Sequence, residues 1–286
     1  MNLTLVTCAA HPAGHPEDAP LRAALTALGA EVQVRRWDDP DVAWSQTAAV
    51  LRTPWDYVSR FAEFTAWLDA LEAAGGRVLN PLPTLRWNLH KGYLLELARA
   101  GVEVVPTRLL PRGAACDLEA LCAETGWSEL VVKPAISAGA QGTYRATAAD
   151  AARVAASLAQ GDTLIQPFLP EVQGGELSLI YFAGAFSHAV LKVPVAGDYR
   201  VQSDFGGAVL PLRTVAAPVL AAAEAALAAA PVPWTYARVD GLVLAGRFVL
   251  MELELLEPEL FLPQHPDAPA RFARALVDAL GAPRAR

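Results

Sequence analysis

The chain has 286 residues, about twice the length of an average domain, which allows one large multilobed unit or two to three smaller domains. Hydrophobic residues make up 53% of the chain and charged residues 19%, a composition that excludes disorder as the main state. The net charge of −7 would repel a phosphate backbone, which excludes nucleic acid as the main partner.

The cysteines and the apolar segments indicate where the protein resides. The three cysteines form no Cys-x-x-Cys pair, which is typical of buried thiols in a reducing compartment. The first residues are apolar but lack the basic residues of a signal peptide, so a strand is predicted there. The most apolar long stretch, residues 214–234, contains a glutamate and three prolines and is too interrupted for a membrane span. We therefore expect a soluble, cytoplasmic protein with no membrane partner.

The first 84 residues alternate short β-rich runs with amphipathic helical patterns, the rhythm of βαβ units. Strands are predicted at residues 3–8, 31–35, 48–51 and 77–79, and helices at residues 19–28 and 56–73. Two prolines within residues 80–84 disfavour both helix and central strand. We place a linker and the first domain boundary there.

A second and a third unit follow, and the third is richer in long strands. Up to residue 170 we predict helices at residues 91–100, 117–124 and 148–159 and extended segments at residues 102–110, 130–134 and 163–166. Beyond it we predict a hairpin of residues 176–182 and 186–195, a helix at residues 218–230 and two strands around Gly246. The predicted class is α/β, with domains at residues 1–84, 85–170 and 171–286.

Two glutamates in an apolar, strand-like segment give the strongest local signal. Glu252 and Glu254 are two residues apart and therefore project from the same face of a strand. Two like charges are costly to bury side by side unless a divalent cation such as Mg²⁺ lies between them. Asp240, at the end of a neighbouring strand predicted at residues 234–239, can supply a third carboxylate. An edge strand with a solvated glutamate face is the alternative interpretation.

A lysine at the end of another buried strand suits phosphate binding. Lys133 closes an apolar run and precedes a loop that contains Ser137, Gly139 and Gly142. Its ammonium can neutralise a phosphate while the small residues let backbone N–H groups approach the phosphate oxygens. The loop has neither the spacing of a P-loop nor that of a dinucleotide-binding turn, and a structural lysine with its ammonium at the surface is the alternative.

Two arginines near carboxylates suit a transferring phosphoryl group. Arg200 precedes a pair of glycines, and Arg238 lies two residues before Asp240. Arginine offers bidentate, permanently charged donors, although salt bridges to the nearby acids would explain the same pattern. No His-Glu-x-x-His spacing and no Gly-x-Ser-x-Gly elbow occurs, so neither a zinc site nor a covalent nucleophile is predicted.

Read in chain order, these motifs resemble the ATP-grasp superfamily, especially its glutathione-synthetase-like and ribosomal-protein-modifying ligase branch. The matching segments are Asn88-Leu89-His90-Lys91, Leu130-Val131-Val132-Lys133-Pro134, Ile165-Gln166-Pro167-Phe168-Leu169, Gly175-Glu176-Leu177-Ser178, Tyr199-Arg200, Arg238-Val239-Asp240-Gly241 and Met251-Glu252-Leu253-Glu254. Residues 175–178 and 186–192 are also similar to a subgroup that includes the cyclo-ligase of cycloserine biosynthesis. The resemblance implies a Rossmann-like amino-terminal domain followed by two ATP-grasp lobes with the nucleotide between them.

The resemblance also implies roles for individual residues. ATP would contact Lys91, Lys133, Ser137, Gly139, Gly142, Gln166, Phe168, Leu169 and Glu171. Of these, the two lysines would hold the phosphates, residues 137–142 would form a mobile lid and the last glutamate would accept the ribose hydroxyls. The catalytic residues that would stabilise the transferring phosphoryl group are Arg200 and Arg238. Mg²⁺, or Mn²⁺ in its place, would be held by Asp240, Glu252 and Glu254, the last of which is commonly Asn in the family.

The reaction implied by the resemblance is the ADP-forming ligation of a carboxylate and an amine. ATP phosphorylates the carboxylate to an acyl phosphate, and an amine then displaces the phosphate to form a C–N bond. Enclosure between two lobes would protect the acyl phosphate from water. The expected substrates are a small amino-acid-like or peptide carboxylate and an amine, which an intramolecular cyclo-ligase would find in one molecule.

Two other activities are compatible with the same motifs. A small-molecule kinase would stop after phosphorylating a hydroxyl, and a non-catalytic nucleotide-binding protein would bind ATP without turnover. The substrate pocket is expected between the loops at residues 53–57 and 258–261, whose aromatic and charged side chains name no molecule. Exposed aromatic surface would favour a homodimer.

Overall fold

The computed structural model describes residues 1–202 and 205–281, which form three sheets and eight α-helices. The helices are α1 (Asp18–Ala27), α2 (Phe61–Ala73), α3 (Leu82–Asn88), α4 (Tyr93–Arg99), α5 (Leu118–Thr125), α6 (Ala151–Gln160), α7 (Ala217–Ala229) and α8 (Ala268–Gly281). The strands are β1 (Asn2–Thr7), β2 (Glu31–Arg36), β3 (Ala48–Thr53), β4 (Arg77–Leu79), β5 (Arg108–Leu110), β6 (Leu130–Pro134), β7 (Tyr144–Ala146), β8 (Thr163–Pro167), β9 (Glu176–Phe182), β10 (Ala185–Val193), β11 (Ala208–Leu212), β12 (Tyr236–Leu244) and β13 (Arg247–Glu254). This mixture confirms the predicted α/β class. Among the helices described, none combines the length and the apolar character needed to cross a bilayer.

The amino-terminal sheet is parallel, with the strand order β2-β1-β3-β4. All residues of β3 are buried, as expected at the centre of a parallel sheet that is covered on both faces. Leu21 and Leu25 of α1 pack on one face, and Phe64 and Leu68 of α2 pack on the other. Because side chains alternate along these strands, the two faces of the sheet pack into two separate hydrophobic clusters.

The central sheet is antiparallel, with the order β5-β8-β6-β7, and it has a hydrophobic cluster of its own. Leu130 and Val132 of β6 pack there with side chains of α5 and α6. Helix α5 begins where the Asp117 carboxylate accepts a 2.9 Å hydrogen bond from the Ala120 amide, and it ends at Gly126 in the left-handed conformation. The helix start predicted at residue 117 is thus confirmed.

The carboxy-terminal sheet is antiparallel, with the order β11-β10-β9-β12-β13. The alanine-rich helix α7 packs on one face through Val219, Ala223 and Leu227. On the other face, Phe182 stacks on Phe272 of α8 with 4.7 Å between the ring centroids. The sheet is therefore covered by a helix on each side.

The first and the last sheet share one hydrophobic cluster. It joins Leu3 of β1 to Ile180 of β9, and α8 packs against α1, β9 and β10 within it. Buried polar groups reinforce this contact, since the Asn80 amide donates 2.8 Å hydrogen bonds to the carbonyls of Tyr236 and Leu255. We call this contact between the first and the last sheet the joint. The domain limits at residues 84 and 170 stay predictions.

The linker predicted at residues 80–84 is wrong, because α3 begins inside it. Pro83 lies in the first turn of α3, where a backbone N–H has no partner in the helix that proline could remove. The helix predicted at residues 56–73 is divided into a 3-10 turn at Trp55–Val58 and α2. The helix predicted to begin at residue 91 begins at Tyr93.

Candidate active site

A cavity of about 750 Å³ lies between the three sheets, a size typical of small-molecule sites, which span about 300–1,000 Å³. Its lining combines the loops after β1, β3, β6 and β8 with β10, β12 and β13. The residues predicted from sequence that line it are Lys91, Lys133, Ser137, Gly139, Gln166, Phe168, Leu169, Arg200, Arg238, Asp240, Glu252 and Glu254. Gly142 and Glu171 are not part of the lining.

Strand pairing brings the three predicted metal ligands together. In the ladder of β12 and β13, Asp240 is opposite Glu252 and Arg238 is opposite Glu254, with a register shift directly after Asp240. Each acid places an oxygen within 4.8 Å of oxygens of the other two. β13 is the edge strand of its sheet, as in the alternative interpretation, but the side chains of Glu252 and Glu254 are only 25% and 22% exposed and line the cavity. Asp240 lies inside β12, which continues to Leu244, and not at a strand end.

Arg238 is held in place by three groups around its guanidinium. Its Nε donates to both oxygens of Asp240 at 3.1 and 3.0 Å, and its Nη2 donates to the same carboxylate at 2.8 Å. Nη2 also donates to Glu254, and Nη1 donates to the Glu259 carbonyl at 3.0 Å. Because a guanidinium is planar and donates in fixed directions, these bonds fix its orientation toward the cavity.

A third lysine, Lys192, reaches the same acids, although the sequence analysis assigned it no role. Its Nζ lies 2.6 Å from Glu176 Oε1 and 3.4 Å from Asp240 Oδ1, and Ser178 also donates to Asp240. Lys192 and Glu176 are opposite each other in the ladder of β9 and β10. A lysine inside an apolar strand that faces a glutamate across a predicted hairpin is the signal that could have identified it.

The two lysines predicted to bind phosphate differ in their contacts. Lys91 Nζ donates to Glu252 Oε1 at 2.6 Å and to the Ser137 carbonyl at 2.9 Å. Lys133 is 9% exposed, and its ammonium makes no hydrogen bond or ion pair within the described ranges 1–202 and 205–281. Burial lowers the pKa of Lys133, and the nearby Lys91 adds to this effect. The alternative of a lysine with its ammonium at the surface is therefore wrong.

The loop after β6 lies beside these lysines. The Ser137 hydroxyl donates to the Pro134 carbonyl at 3.2 Å, and Ser137 and Gly139 line the cavity. Gly142 has a φ of +71°, and a Cβ there would lie 2.9 Å from the Pro134 ring. Glycine at this position therefore shapes the loop without facing the cavity. The role of residues 137–142 as a lid stays a prediction.

The end of β8 forms an apolar part of the lining. Gln166 is buried, and Phe168 lies under the Arg145 guanidinium, whose carbon is 3.9 Å from the ring centroid. The Phe168 ring meets Tyr199 edge-to-face at 5.9 Å. Glu171 is exposed in the following 3-10 turn. Its predicted contact with ribose stays a prediction.

Arg200 lines the cavity but is bonded to its own loop. Its Nε donates to both oxygens of Asp198 at 3.1 and 3.2 Å, and its Nη2 donates to Oδ2 at 2.7 Å. Its guanidinium carbon is 3.7 Å from the Phe205 ring centroid. The salt-bridge interpretation describes Arg200 in this structure, and its contact with a phosphoryl group stays a prediction.

Burial and mutual repulsion set the protonation of the acids on β12 and β13. Burial, with the charges of Glu252 and Asp240, raises the pKa of Glu254 to about 8, although Arg238 acts in the opposite direction. For Asp240, burial is outweighed by Arg238 and Lys192, which lower its pKa to about 2. Without a further positive charge nearby, one of these adjacent acids is therefore protonated and uncharged near pH 7.

The same three carboxylates fit a divalent cation. Within the described part of the chain, Asp240, Glu252 and Glu254 form the group of acidic side chains close enough to share an ion. They offer only oxygen donors, the ligands that Mg²⁺ and Mn²⁺ prefer. A cation between them would offset the repulsion that raises the pKa of Glu254. The donor set therefore agrees with the predicted metal site.

Another part of the lining is aromatic and acidic. Both loops predicted to form the substrate pocket reach it, with Trp55 and Tyr57 from one and Glu259 from the other. The Tyr57 hydroxyl donates to Glu257, and the rings of Trp55 and His15 meet edge-to-face at 5.7 Å. These loops were predicted from sequence, but His15 and Glu257 were not. They line the cavity because chain segments far apart in sequence meet there.

Comparisons with known proteins cover nearly the whole chain. A family model described as the N-terminal domain of D-cycloserine synthetase DcsG matches residues 3–80. The cycloserine biosynthesis protein DcsG of Streptomyces lavendulae is 36% identical over 283 residues, which cover 91% of this chain and 93% of that protein. The crystal structure of D-cycloserine synthetase DcsG has a TM-score of 0.86 at 32% identity and covers 98% of this chain and 100% of its own.

A more distant structure shares the fold. The D-alanine-D-alanine ligase from Bacillus anthracis, solved in complex with ATP, has a TM-score of 0.69 at 16% identity and covers 97% of this chain and 96% of its own. Fold, cavity and relatives together define an ATP-grasp ligase, which confirms the predicted class and overturns the non-catalytic alternative. Within that class, the chain belongs to the DcsG family.

Proposed function

We propose that the protein closes a C–N bond within a small amino-acid substrate, with ADP and D-cycloserine as products. The observation that carries this proposal is the convergence of three carboxylates, three lysines and Arg238 in one cavity of a chain that is 36% identical to DcsG. D-cycloserine is a cyclic hydroxamate whose ring bond joins the carbonyl carbon to a nitrogen on the side-chain oxygen. The corresponding substrate is a D-serine derivative that carries nitrogen on that oxygen.

The lining supports a specific placement of ATP. The adenine would lie beside Phe168, and the phosphates would extend toward Lys133, whose ammonium has no partner among the described residues and is available for a phosphate oxygen. Asp240, Glu252 and Glu254 would hold Mg²⁺, which when bound neutralises charge on the β- and γ-phosphates. The nucleotide would thus span from the apolar lining to the acidic strands.

The proposed reaction has two steps. First, a carboxylate oxygen of the substrate attacks the γ-phosphorus, the bond from this phosphorus to the β-phosphate oxygen breaks, and ADP leaves. Second, the substrate nitrogen attacks the acyl carbon, the bond from this carbon to the phosphate oxygen breaks, and inorganic phosphate leaves as the nitrogen loses a proton. The walls of the cavity would keep water from the acyl phosphate.

Arg238 would stabilise the negative charge that develops in both steps. Its guanidinium lines the cavity and is bonded to Asp240 and Glu254. These bonds hold the donor group in position before the reaction starts, so little reorganisation is needed as charge develops. Arg200, which also lines the cavity, would add a second positive charge from the loop in which Asp198 pairs with it.

The test measures the formation of ADP, inorganic phosphate and the ring product. The substrates are D-serine derivatives that carry nitrogen on the side-chain oxygen. We expect equal amounts of the three products, and no ring from D-serine itself, which lacks the nitrogen. Added hydroxylamine should trap the acyl phosphate as an open-chain hydroxamate. A phosphorylated product without inorganic phosphate would support the kinase alternative. Binding of ATP with turnover of none of these derivatives would contradict the cyclisation.

A further inference from the structure

Glu259 combines a backbone fixed by hydrogen bonds with a carboxylate that has no partner in the part of the chain that the structure describes. The carbonyl before it accepts a 3.0 Å hydrogen bond from Arg52, its own carbonyl accepts one of 3.0 Å from Arg238, and the amide after it donates to Glu17 at 3.1 Å. Its side chain lines the cavity and makes no hydrogen bond or ion pair with any residue in the described ranges. A carboxylate held in this way is available to a ligand.

The network that holds this backbone is buried and has one basic side chain for two acidic ones. Arg52 is 1% exposed, donates to Asp18 at 2.8 Å and also donates to Glu17. Its positive charge is thus shared by two acids and does not neutralise Glu259. Because Arg52 belongs to β3 and Glu259 follows β13, the joint itself positions this carboxylate.

Acidic and aromatic side chains of the two neighbouring loops line the same cavity as Glu259. Glu257 is 6% exposed and accepts a hydrogen bond from the Tyr57 hydroxyl, without a basic partner within 4.0 Å among the described residues. The Trp55 indole N–H donates to the Glu257 carbonyl at 3.5 Å. In the described chain, seven carboxylates, five lysines and arginines, and two histidines line the whole cavity, and three of the carboxylates form the proposed cation site. Glu257 and Glu259 lie outside that site and favour a ligand group that brings a positive charge.

The basic groups that face Glu259 are engaged elsewhere. They are Arg238, His15 and Lys192. Arg238 and Lys192 are each paired with Asp240. The His15 Nδ1 accepts a hydrogen bond from the Glu17 backbone amide at 3.4 Å. The protein itself therefore supplies no free cation for this carboxylate within the described residues.

We propose that Glu259 binds the ammonium group of an α-amino-acid substrate, with Trp55 as the aromatic surface beside it. Arg238 donates to the Glu259 backbone and would then face the carboxyl end of the same substrate. The ammonium and the carboxyl group of an α-amino acid are separated by one carbon, which suits recognition by adjacent residues. This inference rests on the proposed function, because that function makes the substrate an amino acid.

The experiment compares D-cycloserine with isoxazolidin-3-one, the same ring without the amino group, by calorimetry in the presence of ADP and Mg²⁺. We expect the wild-type protein to bind D-cycloserine about 10- to 100-fold more tightly, as for a charge-assisted hydrogen bond. Glu259→Gln should remove this preference and leave the affinity for isoxazolidin-3-one and for ADP unchanged. Glu259→Asp, which keeps the charge, should retain part of the preference.

The matched control is Glu224→Gln, which makes the same charge change on the exposed face of α7 and should retain the full preference. If Glu259→Gln distinguishes the two rings as the wild-type protein does, the assignment of Glu259 is wrong and the proposed function stands. If the wild-type protein binds ADP but not D-cycloserine, the proposed function fails and the ammonium site fails with it. The ADP affinity shows in each case that the variant is folded.

Discussion

The joint and the central sheet are held by different means. At the joint, side chains of the first and last sheets share one hydrophobic cluster, and buried Arg52, Asn80 and Tyr236 connect them by hydrogen bonds. The central sheet has its own cluster, and in the described chain it gives Ala135, Leu164 and the partly buried Leu109 to the cluster around α7. The two regions thus differ in how they are attached to the rest of the molecule.

The two regions carry groups with different proposed roles. The joint fixes Arg238 and the Glu259 backbone, the groups proposed to meet the substrate. The central sheet carries Lys133 and the loop after β6, the groups proposed to meet the nucleotide, and Lys133 has no partner among the described residues. We therefore expect the joint to be rigid and the central sheet to adjust its position when nucleotide binds.

The largest expected effect comes from breaking the joint. Arg52→Met should lower the free energy of unfolding by about 3–5 kcal/mol, because it leaves Glu17 and Asp18 buried without a positive partner. Urea unfolding measures the change. The control is Arg145→Met in the central sheet, whose ion pair with Glu129 is exposed and should contribute about 1 kcal/mol or less. Equal losses in the two variants would contradict the contrast between the regions.

The next effect tests the acidic strands. Glu252→Gln should lower turnover by about 10²–10³-fold, because it removes one charge from the proposed cation site and the partner of Lys91. The melting temperature should change little, since Glu252 faces the cavity and not the core. ADP release over a range of Mg²⁺ concentrations is the measurement, with Glu224→Gln as the control. Full activity of Glu252→Gln at every concentration would refute the metal assignment.

The joint should also weaken in acid. Burial lowers the pKa of His188 to about 4, and its Nε2 lies 2.9 Å from the Leu260 carbonyl. Because the unfolded chain binds the proton with an ordinary pKa of about 6.5, the contribution of His188 is complete above that pH. It is lost as the pH falls toward 4, by on the order of 3 kcal/mol.

Urea unfolding between pH 7.5 and 5 measures this slope, and its comparison with His188→Gln isolates the contribution of the histidine. The variant should unfold with a shallower pH dependence, since it cannot take up the proton. His265 and Arg271 face His188 and oppose its protonation as well, so they belong to the same effect. Parallel slopes in the two proteins would exclude His188 as the cause.

The smallest expected effect concerns the central sheet. Lys133→Met should raise the dissociation constant for ATP about 10-fold through the loss of one charge-assisted contact. Stability should not fall, because Lys133 has no protein partner among the described residues to lose. A thermal-shift titration with ATP and Mg²⁺ measures the affinity, and Lys133→Arg, which keeps the charge, should bind more like the wild-type protein. An unchanged affinity would return Lys133 to a structural role.

Many residues of the region proposed to bind the nucleotide could be predicted from sequence, because they lie in short segments whose structure depends on neighbouring residues. The two-residue spacing of Glu252 and Glu254 places them on one face of any strand, and Lys133 ends a strand that is buried as predicted. Pro83 contributed to the wrong prediction of a linker, because proline disfavours a helix interior but is compatible with its first turn, where Pro83 lies. Local patterns thus give the elements but not always their limits.

The residues of the region proposed to bind the substrate could not be predicted in this way. Lys192 meets Glu176 and Asp240 only once the order of three strands is known. Glu259 is positioned by Arg52, which lies more than 200 residues earlier in the chain. No spacing rule connects such residues, because the contact depends on how the sheets pack and not on the period of one element.

The α/β class, most strands and helices, and the order of motifs that places the chain among ATP-grasp ligases can be read from the sequence, since each of these depends on side chains close together in the chain. Three features appear only in the folded protein: the first and last sheets form one packed unit, Lys133 lacks a partner among the described residues while Lys91 has one, and Glu259 lines the cavity. These facts follow from packing and charge pairing between distant segments, whose energies exist only after the chain has folded.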